Sequence, residues 1–192
     1  MSALTKPGAV FLDRDGTLIE DRHYLCKPEG VVIIPGVAEA LRRLQKAGLK
    51  LFIVSNQSGV GRGYFTMADV ESVNKRMLSD LGWNPFEKIY IAPEAPDQPS
   101  RGRKPSPAFL FDARDEFGVD LAKSWVVGDK RIDLECGWNA GARGSILVRT
   151  GYGARTEQEH PDVPGRAIVV DNMADAAERI LKIQLAGVDN GA

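Results

Sequence analysis

The 192-residue chain contains little cysteine and little histidine: Cys26 and Cys136 are its two cysteines, and His23 and His160 are its two histidines. Two cysteines do not form a disulfide framework in a chain of this length. A zinc site with four ligands would require the fold to bring all four of these side chains together. A structural zinc site is therefore not expected from composition.

Long apolar runs are also missing from the sequence. The N-terminal stretch, residues 1–13, has no apolar run long enough for a signal peptide or a membrane span. The sequence therefore predicts a soluble, cytoplasmic protein without a membrane partner.

An excess of basic charge is absent as well, because 25 Lys and Arg residues against 26 Asp and Glu residues give a formal net charge of −1. Domains that bind nucleic acid usually carry a basic excess or a basic stripe. A nucleic-acid partner is therefore not expected, and the local cluster of cations at Arg101, Arg103 and Lys104 needs another explanation.

Short apolar runs alternate with amphipathic stretches along the chain. The runs are residues 9–12, 51–54, 89–91, 125–127, 146–148 and 168–170. Most are continuous rather than alternating in polarity, which is typical of strands buried on both faces of a parallel sheet. Helices are predicted over residues 37–47, from Thr66 onward, and over residues 106–117, 133–140 and 173–185. Residues 151–165, rich in Gly, Pro and charge, are predicted to form a surface loop.

Strand and helix in repeated alternation predict an α/β fold, a doubly wound, Rossmann-like and mostly parallel sheet with helices on both faces. We expect one domain over residues 1–186 and a flexible tail over residues 187–192. No interval has room for a separate cap domain, which would need about 40 residues or more. The site is expected to be open and partly covered by residues 21–27 and 92–103. Ligands bind such sheets at the carboxyl ends of the strands.

Asp13 and Asp15 come directly after the first apolar run and form the strongest polar cluster. Residues two apart in an extended segment face the same way, so both carboxylates can point toward one site. Two adjacent carboxylates repel each other, which favours a bound hard cation or a shared proton. An isolated Asp-x-Asp is more often an acidic surface turn, but a buried strand before it and Gly16-Thr17 after it favour a functional site.

Two more clusters precede predicted helices. The Ser55 hydroxyl, next to Asn56, can hold a phosphate oxygen together with nearby backbone N–H groups, although a polar helix cap would look the same. Lys104 is suited to neutralising a phosphoryl group, and Arg103 can grip a second anion with its planar fork. An isolated basic pair is more commonly a solvated loop.

The fourth cluster follows the 125–127 run and contains Asp129, Lys130 and Asp133. Asp129 at a strand end can complete a magnesium site with the first cluster, because magnesium takes few carboxylates and keeps several waters. Asp133 either supports this site or caps the following helix, and the sequence leaves both roles open.

In this order, all at strand ends, the four clusters resemble the four motifs of the haloacid dehalogenase superfamily, over residues 10–149. The resemblance implies a magnesium-dependent phosphatase that works through an aspartyl-phosphate. It further implies that Asp13 is the nucleophile and Asp15 the general acid/base. The implied phosphate-binding or substrate-binding residues are Ser55, Asn56, Arg103, Lys104 and Lys130, and the implied metal ligands are Asp13, Asp15 through its backbone carbonyl, and Asp129.

Residues 11–17, 55–59, 62–63, 103–105 and 128–130 are similar to the branch of this superfamily that acts on heptose bisphosphate and histidinol phosphate. Residues 148–151 are similar to the heptose enzymes, which implies D-glycero-D-manno-heptose 1,7-bisphosphate as substrate and its C7 phosphate as the group removed. Members of this branch carry a zinc loop of Cys and His before the Arg-Lys-Pro motif. Residues 92–102 contain neither residue type. Zinc is therefore not predicted, and the cofactor that the resemblance implies is Mg²⁺.

Several alternatives remain open at this point. The substrate can be histidinol phosphate, another sugar phosphate or a nucleic-acid end, although the net charge disfavours the last. A phospho-acceptor signalling module also uses a strand-end aspartate with magnesium, but Asp15 followed by Gly16-Thr17 favours an enzyme. The expected partner is a phosphorylated sugar, and the expected assembly is a monomer or a small homo-oligomer.

Overall fold

Six strands form one parallel sheet in the computed structural model, which describes residues 6–188 and the side chains of residues 6–186. The strands are β1 (Ala9–Leu12), β2 (Lys50–Asn56), β3 (Lys88–Ala92), β4 (Trp125–Gly128), β5 (Gly144–Val148) and β6 (Ile168–Val170). Their order is β3-β2-β1-β4-β5-β6, and every neighbouring pair is parallel. The chain winds from β1 to one edge and then crosses to β4. The carboxyl ends of β1 and β4 therefore flank the point where the winding reverses, the place where such sheets bind ligands.

Helices cover both faces of this sheet, as predicted. They are α1 (Val37–Lys46), α2 (Ser58–Gly61), α3 (Met67–Leu81), α4 (Ala108–Phe117), α5 (Arg131–Ala140), α6 (Gly153–Glu159) and α7 (Met173–Val188). Short 3₁₀ turns lie at Pro28–Gly30, Leu121–Lys123 and Val163–Gly165. The doubly wound α/β fold is confirmed.

The core consists of one apolar layer on each side of the sheet. Val10 and Leu12 of β1 face the layer that α1, α3 and α7 cover. Ala9 and Phe11 face the opposite layer, to which α4 and α5 contribute. All four residues of β1 are buried. This explains why the strand is continuously apolar, since successive side chains enter different layers and neither face meets solvent.

Most helix boundaries lie within two residues of those predicted. Thr66 caps α3 as expected: its Oγ1 accepts a hydrogen bond from the Asp69 N–H at 3.3 Å, and the Asp69 carboxylate accepts one from the Thr66 N–H at 2.7 Å. Helix α4 begins two residues later than predicted, after Pro107, and α5 begins two residues earlier, at Arg131.

The prediction of a plain surface loop over residues 151–165 is wrong, because α6 and a 3₁₀ turn lie there. Gly153 starts α6 so close to the backbone of Val148 that a Cβ would clash with it. Thr156 is buried and donates a hydrogen bond to the Asp129 carbonyl at 2.8 Å. The helix is therefore stabilised by contacts with the ends of β4 and β5 rather than by its own apolar periodicity, which the sequence lacks.

The last helix, α7, continues to Val188, so residues 187 and 188 of the expected tail are helical. Residues 189–192 lie outside the described part of the chain, and the division into one domain and a tail stays a prediction. Within residues 6–188, no separately folded unit interrupts the interval between β1 and β2. No helix in that range is long and apolar enough to cross a membrane.

Candidate active site

Asp13 lies at the centre of the candidate site, one residue beyond β1. Its backbone N–H donates to the Val127 carbonyl at 3.0 Å, which keeps the chain in register with β4 up to this residue. The side chain is 7% exposed and lines a cavity at the carboxyl end of the sheet. Burial acts to raise the pKa of the Asp13 carboxyl, but the ammonium groups of Lys104 and Lys130 outweigh it and hold this pKa below its usual range. Asp13 is therefore an ionised carboxylate.

Lys104 supplies the buried cation beside Asp13. Its Nζ lies 2.8 Å from Asp13 Oδ1, 2.6 Å from Asp133 Oδ1 and 2.7 Å from the Val54 carbonyl oxygen. Burial alone would lower the pKa of Lys104, but the two carboxylates raise it, so the ammonium group stays charged. The Asn56 amide fixes the backbone of Lys104, accepting from its N–H at 3.0 Å and donating to its carbonyl at 3.2 Å.

Asp133 performs both roles that the sequence left open. Its Oδ2 accepts a hydrogen bond from the Lys130 N–H at 2.9 Å, which caps the first turn of α5. Its Oδ1 forms the ion pair with Lys104. The helix cap thus orients a carboxylate toward the site.

Two glycines make room for the carboxylate of Asp129. Gly16 and Gly151 both have positive φ, at 85° and 56°, and a Cβ on either would clash with Asp129 Oδ2. That oxygen accepts a hydrogen bond from the Tyr152 N–H at 2.8 Å. The other, Oδ1, is buried without a hydrogen-bond partner among the described residues. The nearest cation to it is the Lys130 ammonium, whose Nζ lies 3.6 Å away, beyond hydrogen-bond distance, so this oxygen is available to ligate a metal ion.

The donor set at this point fits a magnesium ion. Carboxylate oxygens of Asp13, Asp129 and Asp133 lie within 4.8 Å of one another, and all three residues are buried. Carboxylate oxygens are the ligands that Mg²⁺ takes in proteins, usually one or two with waters completing the shell. The Asp15 carboxylate does not belong to this cluster, and the expected role of its backbone carbonyl as a ligand stays a prediction.

Magnesium affinity is expected to fall with falling pH. Burial, reinforced by the neighbouring Asp13 carboxylate, raises the pKa of Asp129 to about 8 in the metal-free protein. A metal binds the ionised carboxylate, so binding must displace a proton at neutral pH. The dissociation constant should rise by up to about tenfold for each pH unit between about pH 8 and pH 6. Calorimetric titration in two buffers of different ionisation enthalpy measures both the affinity and the released proton; an affinity independent of pH would contradict this expectation.

The Asp15 carboxylate is held by the side chains of Arg14 and Gln57, two contacts that the sequence did not indicate. The fully buried Arg14 lies 2.9 Å from Asp15 Oδ2 and donates to Asn74 Oδ1 at 2.9 Å, and Gln57 Nε2 donates to the same Asp15 oxygen at 2.8 Å. Burial raises the pKa of Asp15 and the Asp13 charge adds to the rise, while the Arg14 guanidinium opposes both. The net pKa lies above the usual range, so this carboxyl can carry a proton that Asp13 cannot.

The cavity in front of Asp13 has a volume of about 260 Å³. Its lining residues are Asp13, Asp15, Asp21, His23, Tyr24, Leu25, Asn56, Gln57, Ser58, Arg103, Lys104, Lys130, Ile132, Asp133 and Tyr152. The segment 21–27 and Arg103 thus form part of its wall, as predicted. Ser55 does not line the cavity; its Oγ accepts a hydrogen bond from Gln57 Nε2 at 2.8 Å.

Segment 21–27 forms one wall of the cavity and contacts side chains of the opposite wall. Lys130 Nζ lies 3.1 Å from Asp21 Oδ2, and the Tyr152 hydroxyl lies 3.1 Å from His23 Nδ1. His23 and Tyr24 have φ of 44° and 52°, a conformation that costs about 1 kcal/mol or more for residues other than glycine. These contacts hold the segment in that conformation. No local pattern in the sequence indicates Tyr152 or His23, because the contact joins residues 129 positions apart.

Comparison with known proteins places this site in a family. A model of the haloacid dehalogenase-like hydrolases matches residues 10–69, and a HAD-hydrolase-like model matches residues 102–176. The D-glycero-beta-D-manno-heptose-1,7-bisphosphate 7-phosphatase of Escherichia coli K12 is 37% identical over 186 residues, covering 92% of this chain and 95% of that protein. The chain belongs to the haloacid dehalogenase-like hydrolases, and the resemblance drawn from its motifs is confirmed.

Solved structures agree with this assignment. The D,D-heptose 1,7-bisphosphate phosphatase from B. bronchiseptica, complexed with magnesium and phosphate, superposes with a TM-score of 0.82 at 31% identity, covering 91% of this chain and 98% of that one. The D,D-heptose 1,7-bisphosphate phosphatase from Burkholderia thailandensis has a TM-score of 0.66 at 29% identity, with the same coverage. The magnesium in the first of these and the carboxylate cluster of this chain support Mg²⁺ as the cofactor.

Proposed function

We propose that this chain is a phosphatase that removes the C7 phosphate of D-glycero-β-D-manno-heptose 1,7-bisphosphate. The observation that carries the proposal is the 37% identity, along 92% of the chain, with a relative of this specificity. The cavity agrees with it chemically, because the ionised Asp13 and the charged Lys104 lie deep inside while Arg103 lies on the wall. One end can thus bind the reacting phosphate and the other a second anion.

The reaction begins with attack of an Asp13 carboxylate oxygen on phosphorus. A new oxygen–phosphorus bond forms, the bond to the sugar oxygen breaks, and an aspartyl-phosphate results. Asp13 suits this role because its pKa is held low, so that it is ionised and has a free lone pair. Lys104, 2.8 Å away, offsets negative charge on the phosphoryl oxygens as they move. Asp13, Asp129 and the backbone carbonyl of Asp15 would hold a Mg²⁺ ion, which when bound would neutralise further negative charge on the phosphoryl group.

Asp15 acts as the general acid and then as the general base. In the first step its carboxyl protonates the departing sugar oxygen, and in the second the resulting carboxylate takes a proton from water, which attacks phosphorus and releases Asp13. The raised pKa of Asp15 and the lowered pKa of Asp13 separate the acid from the nucleophile. Gln57 and Arg14 fix the orientation of the Asp15 carboxyl.

Arg103 is proposed to bind the second phosphate of the substrate. It lines the cavity one residue before Lys104. None of its guanidinium nitrogens forms an ion pair with a carboxylate among the described residues, whereas Arg101 in the same loop pairs with Asp112 at 2.5 Å. Arg103 thus keeps its charge available to a ligand, and Arg101 does not.

Replacing Arg103 by Ala should therefore change specificity rather than chemistry. We expect kcat/KM for a sugar bisphosphate to fall by about 30-fold, or roughly 2 kcal/mol, the scale of a charged hydrogen-bonded pair. An aryl phosphate, which has no second anion, should lose much less. Steady-state kinetics on both substrates measures the difference, with Arg101→Ala as the matched control. Equal losses on both substrates would show that Arg103 serves the chemistry or the fold instead.

A substrate panel with magnesium tests the proposed function itself. We expect many turnovers per chain, with the highest kcat/KM on the heptose bisphosphate and release of its C7 phosphate, followed by ³¹P NMR. A preference for histidinol phosphate or another sugar phosphate would show that the protein is a phosphatase of the same family with a different substrate. A single stable phosphorylation without turnover would identify a phospho-acceptor module.

A further inference from the structure

The loop between β3 and α4, residues 93–107, carries Arg103 to the cavity and is closed by its own side chains. Ser100 Oγ donates to Glu94 Oε2 at 2.7 Å and accepts from the Arg103 N–H at 3.1 Å. The guanidinium Nη1 of Arg103 then donates to the Glu94 carbonyl at 3.1 Å. These three contacts form a closed ring of Glu94, Ser100 and Arg103. Ser100 uses its side chain for both of its contacts, whereas Glu94 and Arg103 each use the backbone for one of theirs.

A second set of contacts docks the same loop on α2. Gln98 Oε1 accepts from the Ala95 N–H at 2.8 Å, and Gln98 Nε2 donates to the Gly61 carbonyl at 3.4 Å. The Gly61 N–H donates to the Pro93 carbonyl at 2.8 Å. The beginning of the loop is therefore fixed to the scaffold independently of Ser100, so loss of the Ser100 hydroxyl should loosen the Arg103 end alone.

The positive charge of Arg103 is destabilised by its surroundings. Burial and the neighbouring positive charge of Arg62 together hold the pKa of Arg103 below its usual range. Among the described residues, the Arg103 guanidinium donates its hydrogen bond to a neutral group, the carbonyl oxygen of Glu94. A guanidinium kept beside another cation, with a neutral partner, is stabilised when an anion arrives. Its orientation before the anion arrives must come from the loop.

We propose that Ser100 is a positioning residue for substrate specificity. Through the Arg103 N–H and the Glu94 carboxylate, its hydroxyl fixes the loop backbone from which the Arg103 guanidinium reaches toward the second phosphate of a bisphosphorylated sugar. This inference rests on the proposed function. Arginine has several rotatable bonds, and ordering such a side chain on binding weakens affinity by about 3- to 10-fold. A loop that orders the side chain beforehand avoids this cost and strengthens binding without touching the substrate.

Ser100→Ala is the direct test, because it removes the hydroxyl and little volume. We expect KM for the sugar bisphosphate to rise by about 3- to 10-fold, the effect of losing that preorganisation, with kcat almost unchanged. The rise for an aryl phosphate should be several-fold smaller. Ser100→Thr keeps the hydroxyl and should restore most of the affinity. Ser106→Ala is the matched control, since the Ser106 hydroxyl donates to the Arg101 carbonyl instead.

A double-mutant cycle separates positioning from general damage to the loop. If Ser100 acts through Arg103, adding Ser100→Ala to Arg103→Ala should raise KM no further. Independent, additive effects would overturn the proposal, and so would an unchanged KM in Ser100→Ala or an equal rise in Ser106→Ala. Tm values near that of the parent protein exclude unfolding as the cause.

Failure of this inference can be told apart from failure of the proposed function. The sugar bisphosphate is also tested as a competitive inhibitor of aryl phosphate turnover, which requires that it binds but not that it is hydrolysed. Ser100→Ala should raise its inhibition constant by the same 3- to 10-fold, about the cost of ordering one arginine. If the bisphosphate inhibits without being hydrolysed and Ser100→Ala raises its inhibition constant, the proposed function fails and the positioning role stands. If its inhibition constant is the same in the parent and Ser100→Ala, the positioning role fails.

Discussion

Asp13→Asn is expected to lower kcat by at least about 1000-fold, because it removes the attacking carboxylate of a covalent mechanism. The amide is nearly the same size, so the packing of β1 should survive. The ammonium group of Lys104 keeps its ion pair with Asp133, 2.6 Å away. The buried cation is therefore not left without a partner, and Tm should remain close to that of the parent protein.

Steady-state turnover of the heptose bisphosphate and of an aryl phosphate measures this effect, and thermal unfolding checks the fold. Asp80→Asn is a suitable control, since Asp80 lies on the surface of α3 in an ion pair with Arg76. Retention of more than about one per cent of the parent kcat by Asp13→Asn would end the covalent mechanism. Equal losses in both variants would point to an effect on stability instead.

Lys104→Met should be the most destabilising of the substitutions considered for the site. Methionine fills a similar volume, but the Asp13 and Asp133 carboxylates would then lose the buried cation between them. Removing one partner of a buried ion pair costs about 3–5 kcal/mol. Protonation of one carboxylate and the nearby Lys130 charge should keep the loss at the low end, about 3 kcal/mol. Turnover should fall as well, because charge on the transferring phosphoryl group is no longer offset.

Urea unfolding without magnesium measures the free energy of unfolding of Lys104→Met. Lys88→Met provides the comparison, since Lys88 forms an ion pair of similar length with Glu116, 2.6 Å, but its side chain is 42% exposed. An exposed pair contributes about 1 kcal/mol or less. A loss in Lys104→Met no larger than that in Lys88→Met would mean that the buried charges are compensated by groups other than Lys104.

The fold and the central residues of the site followed from local features of the sequence. Continuous apolar runs identify strands buried on both faces, and helical spacing between them implies a parallel sheet. Because the carboxyl ends of parallel strands meet at one edge of the sheet, the sequence alone predicted that Asp13 and Asp129 lie close together. The capping box at Thr66 and the strand-end aspartates are signals contained within a few residues, and such signals can be read directly.

Other parts of the site depended on contacts between distant segments. Helix α6 lacks apolar periodicity and is stabilised by the ends of β4 and β5, so its sequence looked like a loop. Arg14 is fully buried and reaches Asn74, 60 positions away, a contact that no local pattern indicates. Asn56 lines the cavity, and its expected contact with the phosphate stays a prediction; the sequence did not indicate that its amide also fixes the backbone of Lys104.

The sequence by itself thus determined the α/β class and the family, and it predicted the carboxylates and the lysine of the candidate site, because these depend on periodicity and on motifs at strand ends. Only the tertiary structure decided which pKa values rise and fall, since burial and neighbouring charges do not exist in an extended chain. It also decided how Arg103 is presented. The ring of Glu94, Ser100 and Arg103 closes only when the loop folds back on itself, and no spacing pattern specifies that path.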